Sequence, residues 1–215
     1  MSEAKILRID RDQPQSRLIA EAAEIIRRGG VIAYLTDTLY GLGADAFNTM
    51  AVQKVFALKS RSEEKALPVI IGNRAMLSKL VLEISSDAEK LIKIFWPGPL
   101  SLILPANPAV PGVLHGDSKR IAVRLPSCAV ARELAIVSGG ALTATSANRS
   151  GEAAAQTAEG VHAALSGGID MIVDSGPATE TRPSTLLDMT QSPPRLLREG
   201  AVSAEKINAV IRIQR

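Results

Sequence analysis

The sequence predicts a mixed α/β domain with helices flanking a twisted β-sheet, and three observations carry that prediction. Short apolar runs of strand length alternate with segments of helical periodicity. Polar, hydroxyl-rich clusters interrupt the ends of those runs, as loops on a rigid scaffold do. Strand-like runs around 171–174, 184–188 and 195–198 include neighbours with no helix between them, which calls for a mixed rather than purely parallel sheet.

In chain order, residues 16–28 read as an amphipathic helix, with Leu18, Ile19, Ala22, Ile25 and Ile26 on one face, Ser16 as N-cap and Gly29-Gly30 as the stop. Val31–Leu35 reads as a buried strand, and a second helix runs from about Thr49 to Leu58. Leu67–Ile71 is the next apolar run, followed by helices at about 74–82 and 87–95, the latter with a capping-box pattern Ser86-x-x-Glu89. Trp96-Pro97-Gly98-Pro99 breaks that helix. Strands follow at Leu100–Leu104 and Ile121–Leu125, then a helix capped by Ser127 and reaching Val137. Ala141–Thr145 is strand-like, 157–165 helical, and a final helix is expected from about 204 to 213. The whole of 1–215 is expected to form one domain with its core at about 16–200, and no internal repeat or charge block divides it.

Composition narrows the function. Apolar residues make up 46% and charged residues 22% of 215, which excludes global disorder. No run reaches the length of a membrane span, and the charged N-terminus lacks the apolar core of a secretion signal, so a soluble, cytoplasmic protein is expected. One cysteine, Cys128, and two separated histidines, His115 and His162, exclude a disulfide framework and a multi-cysteine zinc site. No GxSxG elbow accompanies them, so the familiar hydrolase triads find little support. A net charge of +3 and 3% aromatic content speak against a dedicated nucleic-acid stripe and fit a basic pocket for a small anion.

Four polar clusters stand out: Thr36-Asp37-Thr38-Leu39-Tyr40-Gly41-Leu42-Gly43; Lys59-Ser60-Arg61-Ser62-Glu63-Glu64-Lys65; Thr143 to Gly151; and Pro183-Ser184-Thr185 with Arg195 and Arg198. Gly41-Leu42-Gly43-Ala44-Asp45-Ala46 formally matches GxGxxA, but the context of a dinucleotide site is missing, and the glycines read as close backbone approaches. Lys59 and Arg61 at a helix C-terminus satisfy the helix dipole without any ligand, yet an ammonium and a guanidinium also suit a polyphosphate. No P-loop is present. Thr143 and Thr145 are expected on one side of a strand, with Ser146 and Asn148 beyond its end. Hydroxyls and an amide without an acid or base suit ligand orientation better than proton abstraction. His115, His162, Cys128 and Trp96 read as structural.

Together these segments resemble the YrdC/Sua5/TsaC family of threonylcarbamoyl-adenylate synthases, in the short form without the Sua5 C-terminal domain. The matching stretches are Thr36-Asp37-Thr38-x-Tyr40-Gly41-Leu42-Gly43, Lys59-x-Arg61, Phe95-Trp96-Pro97-Gly98-Pro99-Leu100 and Val123-Arg124-Leu125-Pro126. Thr145-Ser146-Ala147-Asn148-x-Ser150-Gly151, Ser184-Thr185 and Arg198-x-Gly200 continue the match. The resemblance implies an α/β fold with a large basic cavity. It also implies a nucleotidyltransferase that converts L-threonine, bicarbonate and ATP, the last carrying Mg²⁺, to threonylcarbamoyl-AMP and pyrophosphate. The product would serve the N6-threonylcarbamoyl modification of adenosine in tRNA through a downstream transferase complex.

By the same resemblance Lys59 and Arg61 are catalytic, and Lys59, Arg61, Lys65, Ser146, Asn148 and Arg198 bind the nucleotide. Thr38, Arg124, Thr145 and Ser184 are assigned to threonine, Arg124 to its carboxylate. No metal ligand from the protein is implied and no general base is assigned. Leu35, Ser62 and Ala66 stand where the family carries prolines, and Val69 lies near a position where some members carry a histidine. Two other readings are a double-stranded RNA- or tRNA-binding module on the same cavity and a YciO-like paralogue with another substrate.

Overall fold

The computed structural model describes residues 4–62, 66–165 and 167–215, so Lys65 lies outside the described residues. The chain begins with β1 (Lys5–Arg8), α1 (Ser16–Arg27), β2 (Ile32–Leu35), β3 (Tyr40–Gly43) and α2 (Thr49–Lys59). It continues through β4 (Val69–Ile70), α3 (Leu77–Leu80), α4 (Ser86–Phe95), β5 (Leu100–Pro105), α5 (Gly112–His115) and β6 (Arg120–Arg124). The last part holds α6 (Ala129–Ser138), β7 (Leu142–Thr143), β8 (Thr145–Ser146), α7 (Ala158–Leu165), β9 (Met171–Asp174), β10 (Thr185–Asp188), β11 (Arg195–Arg198) and α8 (Ala204–Asn208).

The mixed α/β class holds, and the strands divide over two sheets. One has the order β1-β9-β2-β3-β8 and the other β11-β10-β5-β6-β4-β7, each with parallel and antiparallel pairs. In β2, Ile32 and Tyr34 join the apolar cluster under α1 and α6, while Ala33 and Leu35 join the larger core. Both faces of that strand are therefore buried, and its sequence is apolar without alternation.

Two strands fall where the sequence pattern predicts none. β3 occupies Tyr40–Gly43, within the polar cluster, and pairs antiparallel with β2 through Leu35↔Tyr40 to Ile32↔Gly43. Its glycines serve packing rather than a dinucleotide: a Cβ on Gly43 would lie 2.6 Å from Tyr34 Cε1. Tyr34 is itself buried, and its hydroxyl donates to Thr143 O at 2.9 Å. β1 is short and mostly exposed, so its residues carry little strand signal.

The strand expected at 141–145 is two strands in different sheets. Leu142–Thr143 pairs with β4, and Thr145–Ser146 pairs with β3. The chain changes sheet at Ala144, whose N–H donates to Pro68 O at 2.8 Å. Thr143 therefore does not share a face with Thr145 on one continuous strand. Its hydroxyl donates to Leu42 O at 2.8 Å and accepts from Ala44 N–H at 3.0 Å, tying β7 to the end of β3.

Several helix ends differ from expectation. α4 is capped by Ser85, whose hydroxyl accepts from Ala88 N–H at 3.3 Å, rather than by Ser86. α6 starts after Cys128, because Ser127 turns to Asp37. Gln15 rather than Ser16 precedes α1. The 74–82 helix is reduced to a 3-10 turn at Arg74–Met76 and the four residues of α3. The last helix stops at Asn208, because the chain returns to β11, where Leu196 N–H donates to Gln214 O at 2.8 Å.

Candidate functional site

A cavity of about 550 Å³ opens between the two sheets, lined by β3 and β8 from one and by β4, β5, β6, β10 and β11 from the other. Eight of the ten site residues expected from sequence line it: Thr38, Arg61, Arg124, Thr145, Ser146, Asn148, Ser184 and Arg198. They come from loops and strand ends far apart in sequence, so only the pairing of the two sheets brings them together. Arg195, also in the fourth cluster, is exposed and lies outside the lining.

Lys59 departs from the expected geometry. It is 2% exposed, in the last turn of α2, and is not among the residues lining the cavity. Its ammonium donates to Ser146 O at 2.6 Å, Asn148 O at 2.8 Å and Asn148 Oδ1 at 3.3 Å. Ser150 N–H in turn donates to Lys59 O at 3.0 Å. Lys59 thus holds the loop that presents Ser146 and Asn148. Burial, with repulsion from Arg61, pulls its pKa down to about 8.

The hairpin between β2 and β3 contributes hydroxyls. Thr36 Oγ1 and Thr38 Oγ1 lie 3.0 Å apart, and Thr36 Oγ1 donates to Leu39 O at 2.8 Å. Asp37 of the same turn pairs with Arg124 Nη1 at the end of β6, with side chains only 8% and 7% exposed. The second Asp37 oxygen accepts from Ser127 N–H at 3.2 Å and Ser127 Oγ at 3.3 Å.

Across the cavity, Arg198 Nε and Nη2 donate to Ser184 O at 3.1 and 2.9 Å, and Ser184 Oγ lies 2.9 Å from Ser101 Oγ. Burial lowers the Arg198 pKa, and the charge of Arg124 adds to the effect; burial alone lowers that of Arg61. An anion entering the cavity would relieve both costs. Glu152 is the one carboxylate among the described lining residues, against three guanidinium groups.

Sequence reasoning passed over Asp37 and Ser101. Ser101 carried a usable signal, since it is the lone hydroxyl in Leu100-Ser101-Leu102-Ile103-Leu104 and is buried beside Ser184. Asp37 carried none beyond its cluster, because its partner lies 87 residues away. Three of the residues read as structural have local contacts or buried surroundings. Trp96 Nε1 donates to Leu100 O at 2.6 Å, His115 Nδ1 is 2.6 Å from Gly116 O, and burial pushes the Cys128 thiol pKa up.

Among the described residues, no group of three or more His, Cys, Asp or Glu could hold a metal ion. No helix among them is long and apolar enough to cross a membrane.

Comparison with known proteins shows the same fold and family. A curated Threonylcarbamoyl-AMP synthase of Pyrococcus abyssi is 39% identical over 94% of this chain, which spans 59% of that protein. One from Chromobacterium violaceum is 35% identical over 82% of this chain and 91% of its own length. The crystal structure of P. abyssi Sua5 complexed with L-threonine superimposes with a TM-score of 0.93 at 38% identity, over 97% of this chain and 62% of that one. E. coli YciO superimposes with a TM-score of 0.87 at 28% identity, over 95% and 99% of the two chains. The Sua5/YciO/YrdC family model, described as Telomere recombination, matches residues 24–200, the stretch that builds nearly all of both sheets and every cavity-lining residue, and the chain belongs to that family.

Proposed function

We propose that this chain, as a single YrdC-like unit, is a nucleotidyltransferase that makes threonylcarbamoyl-AMP from L-threonine, bicarbonate and ATP. The observation that carries the reading is the convergence of Arg61, Arg124 and Arg198 with Thr38, Thr145, Ser146, Asn148 and Ser184 on one cavity between the sheets. P. abyssi Sua5, similar over nearly the whole chain, has been crystallised with L-threonine. The expected chemistry has two steps. The threonine amine attacks the carbon of bicarbonate and water leaves, giving a carbamate. A carbamate oxygen then attacks the α-phosphorus of ATP, and pyrophosphate departs with the electrons of the broken P–O bond.

Both partners in the second step are anions, so cationic side chains that offset their repulsion and stabilise the leaving group supply the largest contribution. Arg61 and Arg198, with Ser146 and Asn148, bind the nucleotide; Lys65 is proposed to join them. Arg124 holds the threonine carboxylate, and Thr38, Thr145 and Ser184 orient its remaining polar atoms. Lys59, the other residue expected to be catalytic, acts by holding the Ser146–Asn148 loop against α2. Mg²⁺ is proposed to arrive on the phosphates of ATP. The cytoplasm is the proposed compartment, and a transferase complex that modifies tRNA the proposed recipient of the product.

Pyrophosphate release tests the reading: it should require threonine, bicarbonate, ATP and Mg²⁺ together, and Arg198→Ala should lower kcat/KM about hundredfold. Release without threonine, or unchanged turnover in Arg198→Ala, would overturn it. The likeness to E. coli YciO supports a second reading, a paralogue with another substrate in the same cavity. That reading predicts no threonine-dependent release at all.

A further inference from the structure

Arg124 and Arg198 both line the cavity, yet they differ in their partners. Arg198 is held by the oxygens of Ser184, which are neutral acceptors, and no carboxylate pairs with it among the described residues. Arg124 carries a buried counter-ion of its own in Asp37, whose other oxygen is anchored by Ser127. The cavity therefore has one guanidinium whose charge is compensated, Arg124, and one whose charge is not, Arg198.

We propose that Asp37 is a specificity-determining residue: by compensating Arg124 it reserves that guanidinium for a zwitterionic amino acid and turns polyanions towards the uncompensated Arg198. The inference rests on the proposed function for the identity of the amino acid. Asp37 does not line the cavity and acts through Arg124.

Charge arithmetic sets the direction. The Asp37 carboxylate repels a ligand bound on the far edge of the guanidinium in proportion to that ligand's net charge. A zwitterion has no net charge, so repulsion of its carboxylate is offset in part by attraction of its ammonium. A phosphate dianion is repelled twice as strongly as a monoanion. At the roughly 7 Å that a guanidinium leaves between two bridged anions, each unit of charge changes affinity by about tenfold after salt screening. Removing the Asp37 charge should therefore improve phosphate binding far more than threonine binding. A merely structural loss would weaken both together.

The experiment is a calorimetric titration of L-threonine at increasing inorganic phosphate, without nucleotide, on wild type, D37N, D37S and D37E, with Tm recorded for each. The phosphate concentration that doubles the apparent threonine Kd should fall about tenfold or more in D37N and stay within about threefold of wild type in D37E. D37S removes the same charge with a smaller side chain, so the comparison survives if D37N folds poorly. An unchanged phosphate sensitivity in the neutral variants, or an equal change in D37E, overturns the inference. Wild-type protein that binds no threonine overturns the proposed function, and the inference with it.

Discussion

Two buried polar contacts brace the elements around the cavity, and they are built from opposite chemistry. On one side a carboxylate from the β2–β3 turn meets a guanidinium at the end of β6, so a charge is paired with a charge. On the other side the Lys59 ammonium meets the carbonyls of Ser146 and Asn148 and the amide oxygen of Asn148, so a charge is solvated by dipoles. The first arrangement leaves Arg124 on the cavity surface with its field reduced. The second uses up the cation in holding a loop and keeps it off the surface. A cationic residue near an anion site can therefore contribute by contact or by construction, and partners rather than residue type decide which.

The largest expected effect breaks the second contact. Lys59→Met removes the donor from three buried acceptors, and stability should fall by about 2–4 kcal/mol in denaturant titration. With the Ser146–Asn148 loop released, pyrophosphate formation should fall about hundredfold. A variant that unfolds at the wild-type denaturant midpoint would mean that the loop stands without the ammonium.

Raising the pH sharpens the same contact by a smaller amount. Lys59 releases its proton at about 8 in the folded chain, whereas an unfolded lysine keeps it to about 10.4. Between those values the unfolded chain binds more protons, so the contribution of this site to stability rises with pH. Turnover should move the other way, because a neutral amine has two N–H bonds for three acceptors. An alkaline limb near pH 8 in kcat/KM that disappears in Lys59→Met is the expected profile.

The smallest effect tests the first contact. Ser127→Ala removes one hydroxyl from Asp37 but keeps the Ser127 N–H at 3.2 Å and the ion pair itself. Stability should fall by about 0.5–1 kcal/mol, and threonine affinity should stay within about twofold. A tenfold loss of threonine affinity would show that the hydroxyl, rather than the paired charges, orients Arg124.

Several elements of fold and site were legible because their signal is local. The spacing of Ile19, Ala22 and Ile26 announces α1, and those residues are buried in it. The continuous apolar run in β2 announces a strand covered on both faces. β3 was hidden because Tyr40-Gly41-Leu42-Gly43 carries glycines that normally argue against a strand. These glycines accommodate the Tyr34 ring and the backbone of Thr145, contacts from other strands. Ala141 to Thr145 reads as one strand because nothing local marks Ala144 as the point where the chain changes sheet.

By itself the sequence determined the α/β class, the helix faces, the membership of the hydroxyl and cation clusters in loops, and the family. These follow from periodicity, turn chemistry and motifs, which act over a few residues. Only the tertiary structure decided that Lys59 serves the wall while Arg198 lines the cavity, and that Asp37 compensates Arg124. Those outcomes depend on hydrogen bonds and ion pairs between residues 87 positions apart, such as Arg124 with Asp37 and Lys59 with Ser146. Burial makes such contacts obligatory, since a charge removed from water must find a partner, but chain order does not say which one.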